Sequence, residues 1–168
     1  WFDGGDDCIR SGSAFTPEGS WSIKLRDDNG EESSLTSPTF DLSNSAGVII
    51  GFSSVSVGLE DGDGFELLYS LDNGLNWFLL ESYLKGDDYQ NEELNQVSLT
   101  IPSDSFTFET KFRFMSISNA NADVVYLDEI TILQIIADDF NGSNEGAYFK
   151  TGVSEFLDQK NNLTNTSY

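Results

Sequence analysis

Phe65-Glu66-Leu67-Leu68-Tyr69-Ser70-Leu71-Asp72-Asn73-Gly74-Leu75-Asn76-Trp77-Phe78-Leu79-Leu80-Glu81 is the stretch that decides the fold class. Phe65, Leu67, Tyr69 and Leu71 alternate with Glu66 and Ser70, the two-residue period of a strand with one buried face. Asp72-Asn73-Gly74 then signals a tight turn, because Asn and Gly accept positive φ. A second apolar run, 76–81, returns after it. The same alternation recurs at Trp21, Ile23 and Leu25 against Ser22, Lys24 and Arg26, which places Trp21 in the expected core. It recurs again at Phe112 and Phe114 against Lys111 and Arg113. Further strands are expected at 37–42, 48–57, 94–101 and 124–136. No segment of helical length keeps a 3.6-residue period. About eight short strands predict an all-β fold, an antiparallel two-sheet β-sandwich of jelly-roll type, with an extended C-terminal tail.

The chain has 168 residues, 38% of them hydrophobic and 13% aromatic, enough for one packed core. Twenty-nine acidic side chains oppose eight basic ones, a net charge of −21, and histidine is absent. Such a surface lacks the basic footprint of a nucleic-acid binder and is repelled by anionic membranes. No apolar run approaches the roughly 20 residues of a membrane span. Without His, a Ser-His-Asp triad, a Cys-His dyad and a His-liganded zinc site are all ruled out.

Residues 1–136 read as the sandwich. Residues 137–168 turn polar, keeping two patterned islands at 147–150 and 153–157. This tail reads either as a linker or as a strand added to a neighbouring copy. The single cysteine, Cys8, has no partner for an internal disulfide and is expected to be buried and inert. A chain starting at Trp1 reads as a processed product or an excised repeat.

Six segments, taken in order, carry a resemblance. They are Asp3-Gly4-Gly5-Asp6-Asp7-Cys8-Ile9-Arg10, Gly19-Ser20-Trp21-Ser22-Ile23-Lys24-Leu25-Arg26-Asp27 and Phe40-Asp41-Leu42-Ser43. The others are Gly58-Leu59-Glu60-Asp61-Gly62-Asp63-Gly64-Phe65, Ser70-Leu71-Asp72-Asn73-Gly74-Leu75-Asn76-Trp77, and Lys111-Phe112-Arg113-Phe114 followed by Asp123-Val124-Val125-Tyr126-Leu127-Asp128-Glu129-Ile130. Together they resemble secreted MAM-like and calcium-dependent carbohydrate-binding jelly-roll modules of extracellular proteins. The resemblance spans residues 1 to about 133. It implies the fold and Ca²⁺, and a binding or structural appendage beside other domains.

Two acidic clusters are candidate calcium sites, since Ca²⁺ takes six to eight hard oxygen ligands. In the first, Asp128 shares a strand face with Tyr126, Ile130 and Ile132, where a carboxylate needs a partner. Asp3, Asp6, Asp7 and Asp27 belong to segments that a jelly roll brings near this strand. The alternative is that Asp128 faces solvent or pairs with Arg10 or Arg26. The second cluster, Glu60, Asp61 and Asp63, has the D-x-D-G start of a calcium loop but Asp72 where an EF-hand has glutamate; its alternative is a plain acidic turn. Asn141, Asn162 and Asn165 head glycosylation sequons, all in the tail. Trp1, Trp21, Trp77, Tyr83 and Tyr89 are rings that could stack on sugars. Tyr89, in a polar loop, and Trp77 are the preferred ones.

These features lead to a non-enzymatic extracellular structural module. It is expected to assemble head to tail into a filament or matrix, with Ca²⁺ as cofactor and glycans on its tail. The alternative is a calcium-dependent carbohydrate-binding module of a secreted protein, with glycans rather than other copies as partners. A catalytic carboxylate pair is not isolated among so many acids.

Overall fold

The computed structural model describes every residue except 6, 13–14, 17–18, 27–32, 103–105, 121, 137–148 and 152–168. Among the described residues, eleven strands form in chain order: β1 Phe2–Gly4, β2 Ile9–Ser11, β3 Ser22–Arg26, β4 Ser34–Thr36, β5 Ser45–Val57, β6 Gly64–Ser70, β7 Phe78–Leu84, β8 Asn95–Pro102, β9 Lys111–Ser116, β10 Val124–Ile136 and β11 Phe149–Thr151. One sheet has the order β1-β4-β9-β6-β7, the other β2-β3-β10-β5-β8, and all these pairings are antiparallel. The two-sheet sandwich expected from alternation is the observed architecture.

The inner faces meet over Leu25, Val48, Ile50, Phe65, Leu67, Phe112, Phe114, Val125 and Leu127, each fully buried. Phe52 joins the sheets, with its ring edge-on to Phe65, Tyr83 and Phe114 at centroid distances of 5.9, 5.4 and 5.0 Å. Edge-to-face pairs of this kind add about 0.5–1.5 kcal/mol each beyond burial. Cys8 is buried as expected, and burial, with Asp3 nearby, pushes its thiol up to about 12.

The β6–β7 connection shows why the opening stretch folds as it does. Asn73 and Gly74 have φ of 59° and 95°. The Asp72 carboxylate accepts from the Asn76 side-chain and backbone N–H groups, at 2.6 and 2.8 Å, and from the Ser70 hydroxyl. These bonds hold it down at about 2. Segment 37–42, expected as a strand, is instead a connection that bonds β9 at Ser37, whose N–H donates to the Phe112 carbonyl, and bridges Thr110 at Phe40. Pro38 lacks the N–H a ladder needs, so the strand lies earlier, at β4.

Of the tail, residues 149–151 are described. Its described strand, β11, pairs antiparallel with β10 of its own chain, Leu133 opposite Thr151 and Ile135 opposite Phe149. Strand donation to a neighbour has no support in this pairing. The sequons at Asn141, Asn162 and Asn165 lie outside the described residues.

Candidate functional site

β10 is the strand that shapes the site. It pairs with β3 over residues 124–127 and with β11 over 133–135. Between them, residues 128–132 have no strand on that side among the described residues. Within this notch the register with β5 breaks between Asp128 and Thr131, and Glu129 takes φ 53°. A non-glycine residue in this left-handed region is strained by roughly 1–2 kcal/mol. The extra residue shifts the alternation of the strand. Tyr126 lies outside, its ring 5.4 Å from Phe15, while Ile132 is buried inside at 2% exposure. The expectation that both share a face fails at this bulge, which a plain two-residue period does not anticipate.

A cavity of about 310 Å³ opens at the notch, between the edge strands β1 and β2. Its floor is apolar, made by Ile23, Leu35, Leu127 and Ile130. Trp1 and Trp21 stand at its rim, 42% and 52% exposed. Arg10, Ser22, Asp128 and Glu129 supply its polar groups. A second cavity of about 330 Å³ shares Trp1, Arg10, Ile23 and Leu35 and runs on to Asp3 and Cys8.

Each polar group is held differently. The Arg10 guanidinium lies over the Trp21 ring, 3.9 Å from its centroid. Cation–π contact and lost indole freedom both fix that ring. A Cβ on Gly12 would come within 3.1 Å of the same ring, so this glycine lets the indole lie close to the backbone. Ser53, 2% exposed, donates its hydroxyl to a Glu129 carboxylate oxygen at 2.5 Å. Asp128 accepts from the Glu129 N–H at 2.8 Å. Ser22 is 3% exposed, and its Oγ has no hydrogen-bond partner among the described residues.

The other ring candidates are placed differently from expectation. Tyr89 is 7% exposed, packed 6.3 Å from Phe65, with its hydroxyl 3.3 Å from the Tyr83 carbonyl. Burial raises its phenol, and it presents no face to a sugar. Loop polarity misled here, because the loop folds its single large ring inward. Trp77 is half-buried on the outer face of the β1–β7 sheet, its ring 4.0 Å from the Arg113 guanidinium. Trp21, expected in the core, stands just before the first residue of β3 and is exposed, whereas Leu25 is buried.

The acidic clusters separate. Asp7 is buried at 5% with the Arg26 guanidinium 3.7 Å away. Asp6 and Asp27 lie outside the described residues. Asp61 pairs with the Lys85 ammonium. Asp63 accepts from Asn119 Nδ2 at 3.0 Å and from the Glu60 N–H at 3.3 Å, while Glu60 itself is exposed. Among the described residues, then, Asp61 meets a cation and Asp63 two N–H donors. Among the described residues, no three acidic or cysteine side chains gather as metal ligands. Arg10, Ser22 and Glu129 were missed as site residues. The usable signal was Asp128-Glu129, two acids breaking an apolar strand.

No family profile matches the sequence, and no curated protein matches it. Solved structures do match in fold. The CBM22-1 xylan-binding domain of Paenibacillus barcinonensis Xyn10C superposes with a TM-score of 0.55 at 12% identity, covering 82% of this chain and 87% of that domain. TmCBM61, solved in complex with β-1,4-galactotriose, gives 0.53 at 12% identity, covering 79% and 86%. The enzymatically active domain of bacteriophage CBA120 tailspike protein 4 gives 0.51 at 16% identity, but only 18% of that chain is covered. The chain therefore has the jelly-roll fold of carbohydrate-binding modules. Its fold is shared with modules of that class.

Proposed function

We propose that this chain is a non-catalytic, extracellular carbohydrate-binding module that holds a saccharide at the cavity beside the β10 bulge. One observation carries the reading: two half-exposed indoles stand over an apolar-floored cavity whose remaining lining is polar. Pyranose rings present apolar C–H faces and hydroxyl edges, and a cavity of this size and composition suits both. The fold adds support, since structural neighbours include a xylan-binding domain and a galactotriose complex. Asp128 and Glu129 are consecutive on one strand, and no other carboxylate lines that cavity among the described residues. A glycosidase needs carboxyls flanking the bond from two sides, which favours binding over cleavage. The filament reading has no comparable observation in its favour.

Tryptophan fluorescence tests the proposal. Xylo-, galacto- and gluco-oligosaccharides are titrated against the wild-type chain, the Trp1→Ala/Trp21→Ala pair and Trp77→Phe. A saturable change in emission is expected with at least one series, lost in the pair and retained in Trp77→Phe. If no saccharide alters emission, or Trp77→Phe abolishes the response, the cavity is not the site.

A further inference from the structure

β11 aims the rest of its chain at the notch in β10. The two strands run antiparallel, with Ile135 opposite Phe149, Gln134 opposite Lys150 and Leu133 opposite Thr151. The same register, carried on, sets Gly152 opposite Ile132, Val153 opposite Thr131 and Ser154 opposite Ile130. Those three β10 residues lie in the notch, where no strand pairs on that side among the described residues. From the other end, β3 reaches only to Ile23, opposite Leu127. An open stretch of strand edge is a template for another strand. Seventeen residues follow Thr151, more than enough to span it. β11 holds this segment beside the notch, so it meets the edge at an effective concentration that a second copy does not match.

The segment itself, Gly152-Val153-Ser154-Glu155-Phe156-Leu157, suits the place. Residues directly opposite in an antiparallel pair share a face. Ile132 is buried and Ile130 packs against the core, so positions 152 and 154 fall on the inner side, and both are small. Thr131 is exposed, so position 153 falls outside. The next inward position is Phe156. It arrives where β3 begins and the cavity opens, over the apolar floor of Ile23, Leu35, Leu127 and Ile130. A phenyl ring laid there removes that floor from water. Glu155 falls beside Asp128 and Glu129, and this like-charge contact loosens the end of the pairing. We infer that residues 152–157 of the same chain continue β11 along the notch and cover the cavity with Phe156. The inference stands on register and burial and does not need the glycan reading; a saccharide entering the cavity would displace this cover.

Register-specific disulfide closure in the full chain tests this. Opposite residues of an antiparallel pair have Cα atoms about 4.5–5.5 Å apart, within the range a disulfide bridges. Thr131→Cys/Val153→Cys should therefore close under diamide, read as an oxidised monomer by intact mass. It should close at least about tenfold faster than Thr131→Cys/Ser154→Cys, whose second thiol points to the other face, and than Thr131→Cys/Asn161→Cys. Cys8 is 3% exposed and does not compete. Equal closure rates in the three pairs overturn the pairing. A cross-linked dimer whose yield rises with protein concentration overturns it too, by giving the notch to a second copy. A separate reading needs no cross-link. In the Trp77→Phe background, Phe156→Ser should shift the emission of Trp1 and Trp21 to the red, and Phe156→Leu should not. Unchanged emission in Phe156→Ser overturns the cover. No saccharide is present in either experiment, so neither failure bears on glycan binding.

Discussion

Glu129 offers a direct test of the bulge that forms the cavity, because three substitutions at it separate two opposing energies. The residue has φ 53° and accepts a hydrogen bond from Ser53, which is 2% exposed. Glycine relieves the left-handed strain, gaining about 1 kcal/mol, but removes the acceptor. Losing a bond from a buried hydroxyl to a charged acceptor costs about 1.5–3 kcal/mol, and the exposed position of Glu129 favours the lower end. Alanine removes the acceptor and keeps the strain. Glutamine keeps an acceptor oxygen with the strain unchanged. The expected order of stability is wild type close to Glu129→Gln, then Glu129→Gly about 0.5 kcal/mol lower, then Glu129→Ala about 1.5 kcal/mol lower. Urea unfolding resolves a gap of this size, and in melting temperature it amounts to about 2–4 °C between Gly and Ala. If Ala proves as stable as Gly, residue 129 is not in the left-handed region and the bulge is wrong. If Gln falls as far as Ala, the Ser53 bond does not exist in solution.

Four further outcomes follow from the described contacts. Gly64→Ala should prevent folding or cost several kcal/mol, since its Cβ would lie 1.9 Å from the Tyr83 carbonyl oxygen; a melting point within 2 °C of wild type, about 1 kcal/mol or less, would refute that approach. Native Cys8 should resist iodoacetamide at pH 8.5; because the folded thiol titrates near 12 and the unfolded one near its ordinary value of about 8.5, its contribution is full below that value and is lost as pH rises toward 12. The Asp72 carboxyl should titrate near 2 by carbon NMR and rise in Asn76→Ala; its contribution is present above about 3.9 and lost as pH falls through 2. Chelation with EGTA should leave the Gly62 and Asp63 amides protected, as they donate to the Lys85 and Glu60 carbonyls at 3.1 and 3.0 Å; rapid exchange on chelation would restore calcium to that turn.

Much of the sandwich was legible because burial on one face imposes a two-residue period, which β3, β6 and β9 follow, while the long β5, buried on both faces over 52–56, shows as a largely apolar run. What was not legible has a common cause. β1, β2 and β4 are three residues long, too short for a period to register. The interior of β10 breaks its own alternation at Glu129, so Asp128 and Tyr126 could not be assigned faces by counting. Trp1 was visible as a candidate ring, but the fate of Trp21 and Tyr89 depended on where a strand starts and how a loop folds. Both are tertiary outcomes. In the 60–66 turn, Lys85 and Asn119, distant in sequence, partner Asp61 and Asp63, which the local motif could not show.

The acids of the cavity sit on β10 rather than on a loop, just beyond its pairing with β3 and within its span along β5. Such a wall is already rigid before any ligand arrives, so association should cost little ordering entropy and produce little backbone movement. It also limits how the protein can diversify. Altering the backbone of the bulge disturbs a strand in the middle of a sheet, whereas Trp1 and Trp21 are half-exposed rings outside the strands. Relatives that drift toward new ligands should therefore vary first at the rim and last at the bulge, with the interior strand acting as the inherited frame.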